Sequence, residues 1–296
     1  VDVIGLGGAG CNILQEVERK IQLEDIHFHY VNTDEAALNK IQTKHEKILL
    51  GERLCKGLGC GADYNLGKKV LQEDIEKFSF VQGSDLVFVI SGYSKGTGSS
   101  AGVLAQYLKE QGVLNLFFAI KPFSFEGAKK MQIANQLIKE LSQFADAFVV
   151  IENSKFQKGT FIDTIRAVNE TISSAISIML KVITNPLLIN IDYNDFKTVV
   201  KDGKRCVFAY AKADGVGREK QIVQQVLKEK MKRVKTCIIF VQGGEDMLID
   251  EVHFIVDNIN QAINPEAFPI FGADVIQGKF HIETVFLGVS KEYEIE

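Results

Sequence analysis

Apolar residues follow two alternating rhythms along the first half of this chain. Largely apolar runs at Val1–Ile4, His27–Val31, Leu86–Ile90, Leu114–Ile120 and Ala147–Ile151 predict strands, most of them buried on both faces. Between them lie stretches of helical spacing: Ile13–Val17, Leu71–Phe78, Val103–Leu108 and Met131–Phe144. Strands alternating with helices predict an α/β fold built on a doubly wound, mostly parallel sheet. A longer helical pattern runs from Thr164 to Thr184. Its stripe of Val168, Ile172, Ala175, Ile176, Met179, Leu180 and Ile183 predicts a core helix, stopped by Asn185-Pro186. Beyond it, Cys206–Ala211, Cys237–Val241, Pro269–Val275 and His281–Leu287 predict strands, and Glu219–Lys230 and Ile249–Ile263 helices. Two helices on one face of a small sheet is the expected packing, a smaller α+β C-terminal domain. The expected division is 1–163, a central helix over 164–185, and 186–296.

Glycines punctuate the strand ends. Gly5, Gly7 and Gly10 match G-x-G-x-x-G after the first strand, and Asp34 ends the second, as a dinucleotide-binding fold would have it. The chain departs from that pattern at Lys56-Gly57-Leu58-Gly59-Cys60-Gly61, with Gly67 beyond, and at Ile90–Gly102, I-S-G-Y-S-K-G-T-G-S-S-A-G. The latter reads as strand, glycine-and-hydroxyl loop, helix. Such a loop aims backbone N–H groups and a helix dipole at one spot and suits a phosphate, although a tight turn needs glycine as well. Several glycine loops beyond the carboxyl ends of parallel strands can converge on one polyphosphate. G-x-x-x-x-G-K-[ST] does not occur.

Composition narrows the classes. The chain has 296 residues, 46% hydrophobic and 24% charged, with a net charge of −4, which argues against a nucleic-acid partner. The basic cluster Lys228–Lys235 contains an acid and reads as a solvated face. Five cysteines, without C-x-x-C spacing, predict reduced thiols and neither a disulfide framework nor a zinc site. His253 and His281 have no second ligand at metal spacing, so no metal-ligating side chains are expected. No apolar run reaches the roughly 18 residues of a membrane span. The start inside a strand suggests a trimmed chain.

Six motifs, in order and at matching spacing, resemble the FtsZ and tubulin GTPases, bacterial FtsZ most closely. They are Gly5–Asn12, Asn32-Thr33-Asp34, Gly57–Gly61, the central glycine loop, Lys121-Pro122-Phe123-x-Phe125-Glu126-Gly127, and Asn190-x-Asp192-x-x-Asp195. The resemblance implies a cytoplasmic GTPase that binds GTP or GDP with Mg²⁺ and polymerises head to tail, for cell division at the division site. Tails outside this sequence would bind membrane-tethering and division proteins, without direct membrane insertion. Carried over by position, Gly7, Gly8, Gly10, Gly92, Gly96, Thr97 and Gly98 would cradle phosphates. Cys11, Asn32, Gly59, Gly61, Tyr93, Ser94 and Lys95 complete the expected nucleotide contacts. Asn12 and Asp34 would lie beside phosphates and Mg²⁺, Glu126 at the ribose, Lys130 near the phosphates, and Asn153 at the guanine or ribose. Glu170, with Asn169 beside it, would read guanine. The same resemblance makes 186–296 a GTPase-activating domain whose loop carries Asn190, Asp192 and Asp195.

Glu170 to Thr184 alone spans about 20 Å of helix, so one nucleotide does not reach both ends of one subunit. If the aspartates polarise a water, they act on the next molecule's nucleotide, an open interface that generates a filament. Alternatively Asp195 caps a helix beginning near Phe196. FtsZ usually reads G-G-G-T-G-T-G where this chain has Ser94-Lys95-Gly96-Thr97-Gly98-Ser99-Ser100. Losing glycine at Ser94, Lys95 and Ser100 is expected to cost about 1 kcal/mol for each residue forced to positive φ. Lys95 could reach a phosphate or lie in solvent. Lys130 for arginine gives up bidentate binding, and Glu170 for aspartate moves the base contact by a methylene. Three readings follow: an active FtsZ-type GTPase, a divergent FtsZ-like filament protein with little or no hydrolysis, and an NAD-linked oxidoreductase.

Overall fold

The computed structural model describes residues 1–156, 159–201, 205–229 and 231–289. The chain divides into two compact units, Val1–Ser174 and Ala175–Glu296, with the division inside one long helix.

The first unit runs β1 (Asp2–Leu6), α1 (Gly7–Lys20), β2 (His27–Asn32), α2 (Glu35–Asn39), β3 (Glu46–Leu49), α3 (Glu52–Cys55), α4 (Tyr64–Glu73), β4 (Leu86–Gly92), α5 (Ala101–Glu110), β5 (Leu114–Lys121), α6 (Ala128–Leu141) and β6 (Ala147–Glu152). Its strands pair in the order β3-β2-β1-β4-β5-β6, every pair parallel. β1, β4 and most of β5 are buried on both faces, the burial that their largely apolar runs require. Strand order reverses between β1 and β4. The crevice beyond the carboxyl ends of strands at such a switch point is where open α/β sheets bind ligands.

The helix expected over Leu71–Phe78 lies earlier. Asp63 caps it, accepting from the Leu66 N–H at 2.9 Å, and α4 ends at Glu73. Ile75–Val81 then tightens into a 3₁₀ stretch that buries Phe78 and Val81.

α7 (Phe161–Thr184) is longer at its start than the apolar pattern predicts. Val168, Ile172, Ala175, Ile176, Met179 and Leu180 are buried, and Ile183 is half-buried. Ser173, Ser174 and Ser177 are buried too, so burial extends right round the helix there.

The second unit continues with α8 (Tyr193–Lys201), β7 (Arg205–Asp214), α9 (Arg218–Val226), β8 (Thr236–Gly243), α10 (Ile249–Ala262), β9 (Phe268–Val275) and β10 (His281–Val289). Here β10 pairs antiparallel with β7 and β8, and β8 pairs parallel with β9. Ala209, Ala211 and Ala213 of β7 pack with Ile222 and Val226 of α9 and with Ile255 and Ile259 of α10. Small side chains on β7 let α9 approach this sheet, and α10 packs beside α9. Lys230, which belongs to the expected helix and to the basic cluster, lies outside the described residues. His253 pairs with Asp257 one turn on, at 3.0 Å, and His281 lies 3.4 Å from Glu283. Among the described residues no helix is long and apolar enough to cross a membrane.

Candidate functional site

The switch point is built from glycine. α1 follows β1 directly, and at Gly10 a Cβ would lie 2.1 Å from the Ile90 carbonyl oxygen of β4. At Gly98 a Cβ would lie 2.0 Å from the Gly92 carbonyl oxygen. These glycines are required by backbone-to-backbone approach. No side chain caps α1 or α5, and neither has an acid in its first turn. By contrast Asp34 caps α2, accepting from the Ala37 N–H at 2.9 Å, and Asp63 caps α4. The first N–H groups of α1 have no intrahelical partner and carry the positive end of its dipole. Arg19 and Lys20 complement the opposite end.

In the central loop the Tyr93 N–H donates to Ile120 O and the Gly96 N–H to Gly61 O, both at 2.9 Å. Among the described residues the N–H groups of Ser94, Lys95 and Thr97 have no acceptor. Adjacent orphan donors beside an uncapped helix make an anion cradle. The Ser100 hydroxyl turns back to Thr97 O at 2.6 Å, and that of Ser99 to Gly96 O.

Thr33 joins the Lys56–Gly61 loop to the central loop, and the first loop meets the central one at Gly7, where a Cβ would lie 3.1 Å from the Gly98 N. The Thr33 hydroxyl shares a 2.7 Å hydrogen bond with that of Thr97 and accepts from the Cys60 N–H at 3.1 Å. The Thr33 carbonyl accepts from the Gly59 N–H at 2.9 Å. Gly67 abuts the Gly96 carbonyl so closely that a Cβ would lie 2.0 Å away. Gly5–Gly10, Lys56–Gly67 and Gly92–Gly98 therefore form one packed cradle.

Other expected residues surround it or face elsewhere. Gly8 and Asn12 are exposed, with nothing within 4 Å of a Cβ added at Gly8. Asn32 Oδ1 accepts from the Thr33 N–H at 2.9 Å. The Cys11 thiol is buried against Gly5 O at 3.2 Å, and burial pushes it up to about 12, so it packs as an apolar group. The Tyr93 ring is fully buried, whereas Lys95 is exposed. Glu126 accepts from the Phe123 N–H and pairs with Lys130, each at 3.0 Å. Asn153 is buried; its Nδ2 donates to Lys121 O at 2.8 Å, and its Oδ1 has no partner among the described residues. Asn169 is half-buried. Glu170 accepts from Lys20 at 2.6 Å and from Ser174 at 3.1 Å. Lys20 ends α1, about 20 Å along that helix from Gly7.

The family model that matches residues 1–160 is described as "Tubulin/FtsZ family, GTPase domain". The chain belongs to the tubulin/FtsZ family. It is 31% identical over 310 residues to the cell division protein FtsZ of Haemophilus influenzae, covering 93% of this chain and 73% of that protein. It is 30% identical over 308 residues to FtsZ of Magnetospirillum gryphiswaldense, covering 99% of this chain and 54% of that protein. An empty FtsZ dimer from M. jannaschii superposes with a TM-score of 0.89 at 26% identity, over 100% of this chain and 93% of that one. Membership in the tubulin/FtsZ family displaces the oxidoreductase reading, which rested on one glycine motif and the acid at Asp34.

Two expectations change, one drawn from the tubulin/FtsZ motifs and one from the plain helix-cap alternative. Among the described residues Lys56, at φ 50°, is the one non-glycine residue with positive φ. Ser94, Lys95 and Ser100 therefore carry no left-handed strain, and Ser100 sits at φ −79°. In the Asn190–Asp195 loop the helix starts at Tyr193, so its cap is Asp192. The Asp195 N–H donates to Asp192 Oδ1 at 2.8 Å, and the Asp192 N–H to Asp195 Oδ2 at 3.1 Å. This is a reciprocal capping box, with both carboxylates presented together at the start of α8. Asn190 Oδ1 accepts from the Leu187 N–H at 3.3 Å. Thr33 and Lys20 were missed as site residues. Thr33 stood between two expected contacts, and Lys20 is distant from Glu170 in sequence.

Proposed function

We propose that this chain binds GTP in the glycine cradle, hydrolyses it, and assembles head to tail into filaments. The observation that carries this reading is the set of orphan N–H groups at the uncapped start of α1 and in the central loop, the latter held in place by Thr33 and Gly61. In the proposal they take the phosphates, and Gly8 leaves open backbone for close approach. The Glu126–Lys130 pair turns to ribose and phosphate, and Asn153 Oδ1 accepts from the nucleoside. Glu170 exchanges Lys20 for the base edge. Mg²⁺ at phosphates needs only one or two protein oxygens, which suits a site with Asn12 and Asp34 beside it. Among the described residues no group of three His, Cys, Asp or Glu side chains could hold a metal ion by itself.

Hydrolysis needs a water oriented towards the γ-phosphate. Asp192 and Asp195 are assigned that role on the nucleotide of the adjacent copy, with Asn190 beside them and α8 as their rigid mount. The FtsZ relatives are named cell division proteins, and we extend that role to this chain. The test is Asp195→Asn, whose amide oxygen still accepts from the Asp192 N–H while the charge is gone. Full GTP binding with hydrolysis down about 100-fold or more, the low end of general-base effects, supports the reading. Hydrolysis at the parental rate would overturn it and leave the pair as a helix cap.

A further inference from the structure

Two thiols touch at the Lys56–Gly61 loop. Cys55 Sγ and Cys60 Sγ are 3.2 Å apart, both side chains are buried, and both thiols are free. A disulfide needs about 2.05 Å, so the sulfurs must close by roughly 1.2 Å. Cys55 ends α3, and the segment after it runs through Lys56, Gly57, Gly59 and Gly61, all at positive φ. Cys60 also lines an open cleft of about 730 Å³ between α4 and α6. The ion pair of Lys68 and Glu140 joins the two walls. That cleft therefore offers a cation and an anion to a small molecule, with Cys60 in its wall.

We propose that the cleft admits a small zwitterionic disulfide of the glutathione class, and that Cys60 and Cys55 exchange with it to form a reversible intramolecular disulfide. Lys68 suits the carboxylates of such a molecule and Glu140 its amine. In the first step the Cys60 thiolate attacks one sulfur of the oxidised peptide, forming a mixed disulfide and releasing one thiolate that takes up a proton. In the second, Cys55 loses its proton and attacks the Cys60 sulfur, expelling the second peptide thiol. Two electrons and two protons pass from the cysteine pair to the peptide disulfide. Burial, and after it the neighbouring Cys60, push the Cys55 thiol up to about 12, which makes Cys55 the second thiol to react.

The consequence for ligand binding rests on the nucleotide reading above. The Cys60 N–H bonds Thr33 Oγ1, which bonds Thr97, and the Gly61 carbonyl holds the Gly96 N–H. Cys60 Cβ lies only 2.7 Å from where a Cβ on Gly96 would be. Drawing Cys60 towards Cys55 therefore shifts the central loop and weakens nucleotide binding.

The test equilibrates the full chain with glutathione buffers from reducing to oxidising, quenches with acid, and measures mass and GTP affinity on the same samples. The expected result is a mass loss of about 2 Da and a Cys55–Cys60 cross-link on digestion. With it the GTP Kd rises about tenfold or more, and a dithiol reductant restores both. Cys55→Ser should instead keep one glutathione on Cys60, and Cys55→Ala serves if serine unfolds the loop. Unchanged mass in every buffer, or modification confined to Cys11, Cys206 or Cys237, overturns the disulfide. A Cys55–Cys60 cross-link with unaltered GTP affinity overturns the coupling. If the fully reduced chain does not bind GTP, the nucleotide reading and the coupling fall together, while mass still decides the disulfide.

Discussion

Gly98 and Gly8 are both glycines of the cradle, yet they answer to different neighbours. A methyl group at Gly98 meets the Gly92 carbonyl oxygen, whereas one at Gly8 meets nothing. Gly98→Ala should therefore destabilise the fold by about 1–3 kcal/mol, the range for overpacking. Gly8→Ala should leave the melting temperature unchanged or slightly raised, because alanine favours helix over glycine by roughly 1 kcal/mol. It should nevertheless weaken GTP binding, since the proposed function puts a phosphate in that open space. Thermal melts beside GTP titrations separate the two; a Gly8→Ala chain that binds GTP as the parent does would contradict a phosphate at that backbone. These glycines were legible as a cluster, but their reasons were not. The loop's demand for glycine was expected to come from positive φ, and it comes from close backbone approach. Distances between β1, β4 and their loops exist only once the sheet is assembled. For the same reason Ser94, Lys95 and Ser100 could be seen as departures but not as unstrained ones.

Elements were legible where burial is extreme. β4 and β5 announce themselves because both faces are buried, so nearly every residue must be apolar. β3 does not, because only Ile48 of its four residues is buried. α2 and α3, of five and four residues, are too short for a periodic signal. α8 was visible only as a cap, and its cap proves to be a pair. β10 carries a further feature that pattern alone does not reveal. Glu283 is buried among Tyr210, Gln242, Lys279 and Lys212. Burial alone would raise its pKa, but Lys279, Gln242 and Lys212 outweigh burial and hold it at about 2. A carboxylate whose folded pKa is depressed contributes stability above its unfolded value. That contribution disappears as pH falls through the folded value. Unfolding measured between pH 5 and pH 3 should show a loss on the order of 2 kcal/mol from this group. Glu283→Gln should be less stable at pH 7 and lose less on acidification. An equal acid slope in the two proteins would mean that the lysines do not hold this carboxylate ionised.

At the scale of the whole molecule, the chain has a ligand-ready cradle in its first unit and a rigid pair of carboxylates in its second. The order and spacing of six motifs made both legible, and family membership follows from the match over residues 1–160. Their proposed cooperation across copies follows from the length of the central helix and from the family resemblance, not from any contact within one chain. The central claim is that hydrolysis is completed by the carboxylates of an adjacent copy. Phosphate release per molecule, measured across rising protein concentration at saturating GTP, tests it most directly. Turnover should be almost absent in dilute solution and then rise steeply to a plateau as filaments form, with Asp195→Asn flat throughout. A rate per molecule that stays constant from dilute to concentrated protein would contradict the claim.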